Sequence, residues 1–315
     1  MSNRLRPFLL ASLLMAALSP GAAAIEREAA PAEILNIDAH YPEGPQLLAD
    51  GSLLSAEMPR DRVVRSGPGG SDVVWQEKGC GPTSVKRLPD GGFWVLCHLG
   101  GRVVRLSPDF QTLAHVDWAE DGSRITWPND ASVDEKGNLF LSSSGLFSRA
   151  APATGRLIRI DAATNAAKVL AGGIHYSNGV LVQEDRHRVL VSAHLDGRVL
   201  SFPLLAPDRV GPPSVFFDLA TIPPVEHPYD LGGPDGLAAF ADGDVVIANY
   251  GNGRLIVVSA TGEFHMVIPV ALPYVTNMAI TPDQKSLYVT MTRDNRSHDL
   301  DGRVQRYAIR QKDKD

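Results

Sequence analysis

The chain has 315 residues, of which 44% are hydrophobic and 21% charged, with 30 Lys and Arg against 36 Asp and Glu. A formal charge of −6 with no basic run excludes the electrostatic footprint of a nucleic-acid or anionic-membrane binder. Beyond the N-terminus no segment approaches the roughly 18 apolar residues of a membrane-spanning helix, so the mature chain is expected to have no membrane partner.

Residues 1–24 carry Arg4 and Arg6, then an apolar stretch from Phe8 to Leu18, then the small-residue end Ala22-x-Ala24. That order predicts a secretory signal peptide and a periplasmic or secreted protein. No Pro/Gly/Ser linker divides the remainder of the chain, so residues 25–315 are expected to form one domain. A short strand near Ile34 to Ile37 is predicted to pair with a C-terminal strand, Arg303 to Ile309, tying the two ends of the chain together.

Six similar hairpins make up the mature chain, headed by Glu43 (PEGPQLLADGSLL), Thr83 (TSVKRLPDGGFWVL), Asn129 (PNDASVDEKGNLFL), Asn178 (SNGVLVQEDRHRVLV), Asp235 (PDGLAAFADGDVVI) and Asn277 (TNMAITPDQKSLYV). In the first five the head lies seven positions before the turn residue, and Asn277 fits to within one. A segment opening with Gly-Arg comes after five of the hairpins, at Gly101, Gly155, Gly197, Gly253 and Gly302; Asp61-Arg62 stands in that place after the first. Glycine there suits a tight turn between adjacent antiparallel strands. Outside the leader no run carries a helical stripe. Heads spaced 40, 46, 49, 57 and 42 residues apart mark units of about four short strands. The fold class this predicts is all-β, a six-bladed propeller of four-stranded antiparallel blades with its heads converging on the central axis.

Three features lie off this rhythm. Cys80 and Cys97 share the second hairpin. With Pro89 to Gly92 as the turn, Cys97 faces Ser84, about 13 Å of strand from Cys80, so two buried thiols are expected unless the segment before Thr83 folds back. A proline-rich insert from Pro203 to Pro234 is either a lid over one mouth of the channel or a loop over blade edges. His98 and His194 end the second strands of blades two and four, near the mouth.

The chemistry of the heads is all-oxygen. Glu43 and Asp235 are carboxylates, and Asn178 and Asn129 offer amide oxygens. Such a set suits Ca²⁺, Mg²⁺ or Mn²⁺ and is poor for Zn²⁺.

In their order and spacing, Pro42-Glu43-Gly44-Pro45, Trp127-Pro128-Asn129-Asp130, Ser177-Asn178-Gly179 and Pro234-Asp235-Gly236 resemble the senescence-marker-protein/gluconolactonase/luciferin-regenerating family of propeller lactonases. The resemblance covers roughly residues 36–309. It implies hydrolysis of a small-molecule lactone with one divalent metal ion, most often Ca²⁺, with Mg²⁺, Mn²⁺ or Zn²⁺ as substitutes. It implies that Glu43, Asn178 and Asp235 hold the metal, that Asn129 contacts substrate or water in the same cavity, and that Asp235 is the nearest base. Arg124 matches an arginine of bacterial gluconolactonase-like sequences, and Trp127 stands where relatives often carry a polar group. With His175, Tyr176 and His194 these are the expected substrate-binding groups. Two alternatives stay open: a binding or scaffold propeller with a structural metal, and another propeller chemistry such as phosphotriester hydrolysis, a lyase or a condensing reaction.

Overall fold

The computed structural model describes residues 27–226, 228–296 and 300–311, and the leader over residues 1–24 lies outside them. The described strands form six antiparallel sheets, five of four strands and one carrying an extra two-residue strand, Arg209–Val210. Helical content among the described residues is limited to four three-residue 3₁₀ turns. The fold is the expected all-β six-bladed propeller.

The innermost strands are Pro42–Leu47, Pro82–Arg87, Pro128–Val133, Ser177–Gln183, Gly233–Ala239 and Tyr274–Ile280. Each touches the inner strand of the next blade, and the sixth touches the first, so the ring closes. The second strands run Leu53–Glu57, Phe93–Cys97, Leu139–Ser143, Arg188–Ala193, Val245–Tyr250 and Ser286–Thr292. At the turn into the third strand Gly101, Gly197 and Gly253 have φ of 62°, 67° and 61°, and Asp61 substitutes at 56°. This left-handed conformation explains the glycine before arginine at those three turns, whereas Gly155 and Gly302 are required by close approach, a Cβ there lying 2.5 Å from the Ile174 carbonyl oxygen and 2.2 Å from Pro42 Cδ.

Apolar side chains pack between blades. One cluster joins Leu54, Val63 and Trp75 of blade one to Val85, Val95 and Val104 of blade two. Another joins Val246, Leu255 and Val257 of blade five to Met278, Val289 and Tyr307 of blade six. Each fully buried Val, Leu or Phe contributes about 1.5–3 kcal/mol. The hydrophobic core is thus spread over the blade interfaces, which leaves the axis for polar groups.

The sixth blade takes its outer strand from the N-terminal side. Arg27–His40 pairs with Asp301–Gln311, with Ile34 opposite Gln305 and Arg27 opposite Gln311. The expected pairing of Ile34–Ile37 with Arg303–Ile309 is present, in a longer strand. Arg27 fixes the start of this strand from a buried position, with Nη1 2.5 Å from Asp244 Oδ2, Nη2 paired to Asp242, and its guanidinium 4.1 Å from the centre of the Phe240 ring.

Two expectations are corrected. Cys80 and Cys97 form a disulfide, with Cα atoms 4.4 Å apart. The turn closes one residue earlier than the sequence suggests, with Arg87 opposite Phe93. A bulge then places Pro82, not Ser84, opposite Cys97. Gly81 at φ 53° folds the preceding segment back toward it. A bridge closing a loop of 17 residues stabilises by about 3 kcal/mol. The proline-rich insert is neither a simple lid nor a loose loop. Its first half, Ser214–Asp218, is the outer strand of blade four. Its second half braces the mouth: the Asp230 carbonyl accepts from Arg149, and the Tyr229 ring lies 5.3 Å from Tyr274.

Candidate active site

All six inner strands carry a register shift beside their head residue: after Glu43, Pro128, Ser177, Pro234 and Pro82, and between Val275 and Asn277. A bulge bends a strand and re-aims a side chain. Here it turns the heads out of the sheet and toward the axis. Glu43, Thr83, Asn129, Asn178 and Asp235 line one cavity of about 140 Å³, and all five are buried.

The glycines after three of these heads are required by close approach. A Cβ on Gly44 would lie 2.3 Å from Ser84 Cα, one on Gly179 2.1 Å from the Asp235 carbonyl oxygen, and one on Gly236 2.2 Å from Asn277 Cγ. The Glu-Gly, Asn-Gly and Asp-Gly pairs of the sequence therefore let neighbouring inner strands close on the axis. Asn277 is spent in this packing. Its Oδ1 accepts from the Met278 N–H at 2.8 Å, and it does not line the cavity.

Most of the remaining lining comes from two further repeating positions. One is the residue two before the head. Tyr41, Gly81, Trp127 and Tyr176 hold φ of 47°, 53°, 45° and 58°. For a residue with a side chain this costs roughly 1–2 kcal/mol. The carbonyls of Gly81, Trp127 and Tyr176 accept from the N–H groups of His98, Ser144 and His194 at 3.0, 3.0 and 3.1 Å. Those donors mark the second position, the residue just past each second strand or at its end. Met58, His98, His194 and Tyr250 occupy it and line the cavity. Phe147 completes the wall, its ring centre 4.7 Å from that of Tyr176.

Electrostatics set the two carboxylates apart from the rest. Burial, then the Asp130 charge, pushes Glu43 well above the usual carboxylate range. Burial, then Glu43 and Asp130, does the same to Asp235. The Asn178 amide acts to lower the Asp235 pKa, yet Asn178 Oδ1 and Asp235 Oδ1 are buried with no partner among the described residues. Glu43 Oε2 accepts from its neighbour Gly44, at 3.2 Å. Two mutually repelling carboxylates and an orphaned amide oxygen fit a hard cation. No group of three or more His, Cys, Asp or Glu placed to hold a metal ion occurs among the described residues, so any such ion relies on the amide as its third protein ligand.

Asn129 is held by its surroundings. Its Nδ2 donates to Ser144 Oγ at 2.9 Å, and both side chains lie beside the Tyr176 hydroxyl, where they act to lower its pKa. Burial, then the Asp235 charge, raises the Tyr176 pKa, so the phenol stays protonated. His194 lines the cavity with its ring. Its Nδ1 and Nε2 face the carbonyls of Pro234 and Leu231 at 3.0 and 2.9 Å, and burial pushes its pKa down to about 4. His98 is likewise lowered to about 4 by burial. Its Nδ1 lies 3.2 Å from the Pro128 carbonyl, which can only accept, so Nε2 is the acceptor of the neutral ring.

Three of the expected substrate-binding residues lie off this lining. Trp127 shares the register of Tyr41 and Tyr176 but is 38% exposed. Arg124 stacks 5.2 Å from the Trp118 ring and lies 3.8 Å from Asp117. His175 is engaged by Asp196 at 3.1 Å and the Ser148 carbonyl at 3.2 Å. Tyr41, Met58, Phe147 and Tyr250 enter the site although no motif in the sequence marks them.

This geometry can be set beside known proteins. The curated 6-deoxy-6-sulfogluconolactonase of Pseudomonas putida is 29% identical over 227 residues, 69% of this chain and 74% of that protein. Among solved structures, a gluconolactonase of Xanthomonas campestris superposes with a TM-score of 0.70 at 18% identity, covering 89% of each chain. The calcium-binding protein regucalcin of Agrobacterium tumefaciens gives 0.68 at 16% identity, over 89% of this chain and 94% of that one. At such identities the structural likeness speaks for the fold. A family model described as the SMP-30/Gluconolactonase/LRE-like region matches residues 41–293. That match takes in every residue lining the axial cavity, and the chain belongs to the SMP-30/gluconolactonase/LRE-like family.

Proposed function

We propose that the protein is an exported lactonase that opens a compact, uncharged lactone in the axial cavity with the help of one divalent cation, Ca²⁺ above others. The observation that carries this reading is the convergence of Glu43, Asp235 and the unpartnered Asn178 Oδ1 on one small cavity. These three residues would hold the ion. Hard oxygen donors of this kind, with few protein ligands and room for water, favour Ca²⁺. The likeness to regucalcin, a calcium-binding protein, supports the same choice.

A bound divalent cation supplies Lewis-acid polarisation and a water made nucleophilic near neutral pH. The chain's own residues do the rest. The Asn129 amide, anchored to Ser144 on the cavity wall, would stabilise the negative charge that develops on the lactone oxygen. Asp235 is the carboxylate that takes the proton from attacking water. Phe147, Met58 and the ring faces of Tyr176 and His194 give the substrate an apolar wall and exclude bulk water. Among the described lining residues there is no Lys or Arg to face an anionic substituent. A neutral lactone is therefore favoured over one bearing a sulfonate, as the name of the Pseudomonas putida relative implies for its substrate. The leader-like residues 1–24 and the disulfide support action in an oxidising compartment.

The test is turnover of aldono-, aryl- and alkyl-lactones by the purified mature protein, before and after chelation. Activity should vanish with chelator and return on adding Ca²⁺. Turnover indifferent to chelator, or none on any lactone with metal present, overturns the proposal.

Stability supplies a second check. With their pKa values raised in the fold, Glu43 and Asp235 keep protons that the unfolded chain has already lost. The metal-free protein should therefore lose stability as pH rises through and above the ordinary carboxylate range. His98 and His194, lowered from 6.5 to about 4, oppose this by costing stability as pH falls below 6.5. The histidine contribution is common to both forms. Hence the gap in Tm between Ca²⁺-loaded and chelated protein should widen from about pH 4 to pH 7. A gap that does not change with pH would mean that no proton leaves when the ion binds.

A further inference from the structure

We propose that Lys86, through its ion pair with Asp130, sets the net charge of the axial site to match a divalent cation; this rests on the metal reading above. Lys86 lies on the inner strand of blade two, three residues beyond the head Thr83, and its side chain is 15% exposed. Its Nζ is 3.2 Å from Asp130 Oδ1. Asp130 follows Asn129 on the bulge of blade three and is buried. The same Oδ1 accepts from Ser84 Oγ at 3.0 Å, and Oδ2 is 3.5 Å from the Val180 N–H of blade four.

Asp130 is thus a third carboxylate beside the cavity, and its charge acts on both Glu43 and Asp235. Among the described residues Lys86 is the cation that acts on Glu43. Three carboxylates and one ammonium leave two negative charges, which a divalent ion neutralises. Without Lys86 a negative charge would remain after the ion had bound. In a buried site a unit charge several ångströms away changes ion affinity by an order of magnitude or more.

A structural tie and a charge-setting pair predict different signs. Breaking a tie can only loosen the site. Removing the ammonium should instead tighten cation binding, because the attraction from Asp130 is no longer offset. Calorimetric Ca²⁺ titration of the chelated protein reads this directly. Lys86→Met should bind Ca²⁺ at least about tenfold more tightly than the parent, and Asp130→Asn at least about tenfold more weakly. The double variant should return to within a few-fold of the parent. Lys86→Met should also lower the Tm of the metal-free protein and enlarge the rise on adding Ca²⁺. Lys86→Gln, which can still hydrogen-bond to Asp130, should show the same tightening and serves if the methionine variant does not fold. Lys86→Arg, which keeps the charge, should stay near the parent.

Unchanged or weaker binding in folded Lys86→Met or Lys86→Gln overturns the role of Lys86 while leaving the metal site standing. A parent protein that binds no divalent ion overturns both.

Discussion

Asp235→Ala is expected to abolish divalent-cation binding and lower lactone turnover by at least about 10³-fold, the largest effect of any single substitution in the site. Asp235 contributes one of only two carboxylates at the cavity wall among the described residues, shares that wall with Asn178, and is the proposed proton acceptor. Its loss removes charge, a ligand and the proton acceptor together. The stability readout has a distinctive form. In chelator the variant should be no less stable than the parent, because a repulsive pair of buried carboxylates has been relieved. In Ca²⁺ at a hundred times the parent's Kd, the parent gains about 2.7 kcal/mol and the variant gains nothing. Thermal melts with and without Ca²⁺, beside calorimetric titration, check both statements. A variant that binds Ca²⁺ as tightly as the parent would remove Asp235 from the ion's coordination.

Asn129→Ala should separate binding of the ion from chemistry. Its amide is neutral and is anchored on the cavity wall by the hydrogen bond from Nδ2 to Ser144 Oγ, so its loss takes no charge from the ion's site. Removing one preorganised polar contact costs on the order of 10²-fold in turnover. Most of the Ca²⁺ affinity should remain, and kcat should fall more than KM rises. Equal losses of affinity and turnover would make Asn129 a ligand. Unchanged turnover with the ion bound would move the chemistry away from this mouth of the channel.

The fold is legible because its unit repeats. A head residue, an acidic-glycine turn and a Gly-Arg restart recur with small variation around the ring, and each has a backbone cause: a bulge, a tight turn and a left-handed residue. The heads themselves are legible for the same reason. Much of the remaining lining shares the register without sharing a motif. His98 and His194 stand out as ends of second strands, and Met58 and Tyr250 occupy the same place in blades one and five. Their differing side chains hide the equivalence, which lies in backbone position and not in chemistry. Tyr41 and Tyr176 share a left-handed position with Trp127, and nothing in a tryptophan's identity says that this one turns outward. Phe147 sits in a loop after blade three's second strand, outside any repeat. The disulfide escapes the sequence through a hairpin register one residue off and a bulge that propensity does not announce.

The strand pairing that completes the sixth blade leaves Arg27 directly opposite Gln311, so the two ends of the propeller are neighbours. A circle with adjacent ends has no privileged starting point. A short peptide joining them would make the last blade continuous in sequence, and the chain could then be opened at an exposed turn such as the one between Ala206 and Arg209 on the outer edge of blade four. Such a permuted protein would keep every blade interface and the axial cavity while changing only the order of synthesis. In the natural order, the first strand made must wait for the last before it can pair. That pairing spans the largest sequence separation among the described strands, and the permutant would make it local.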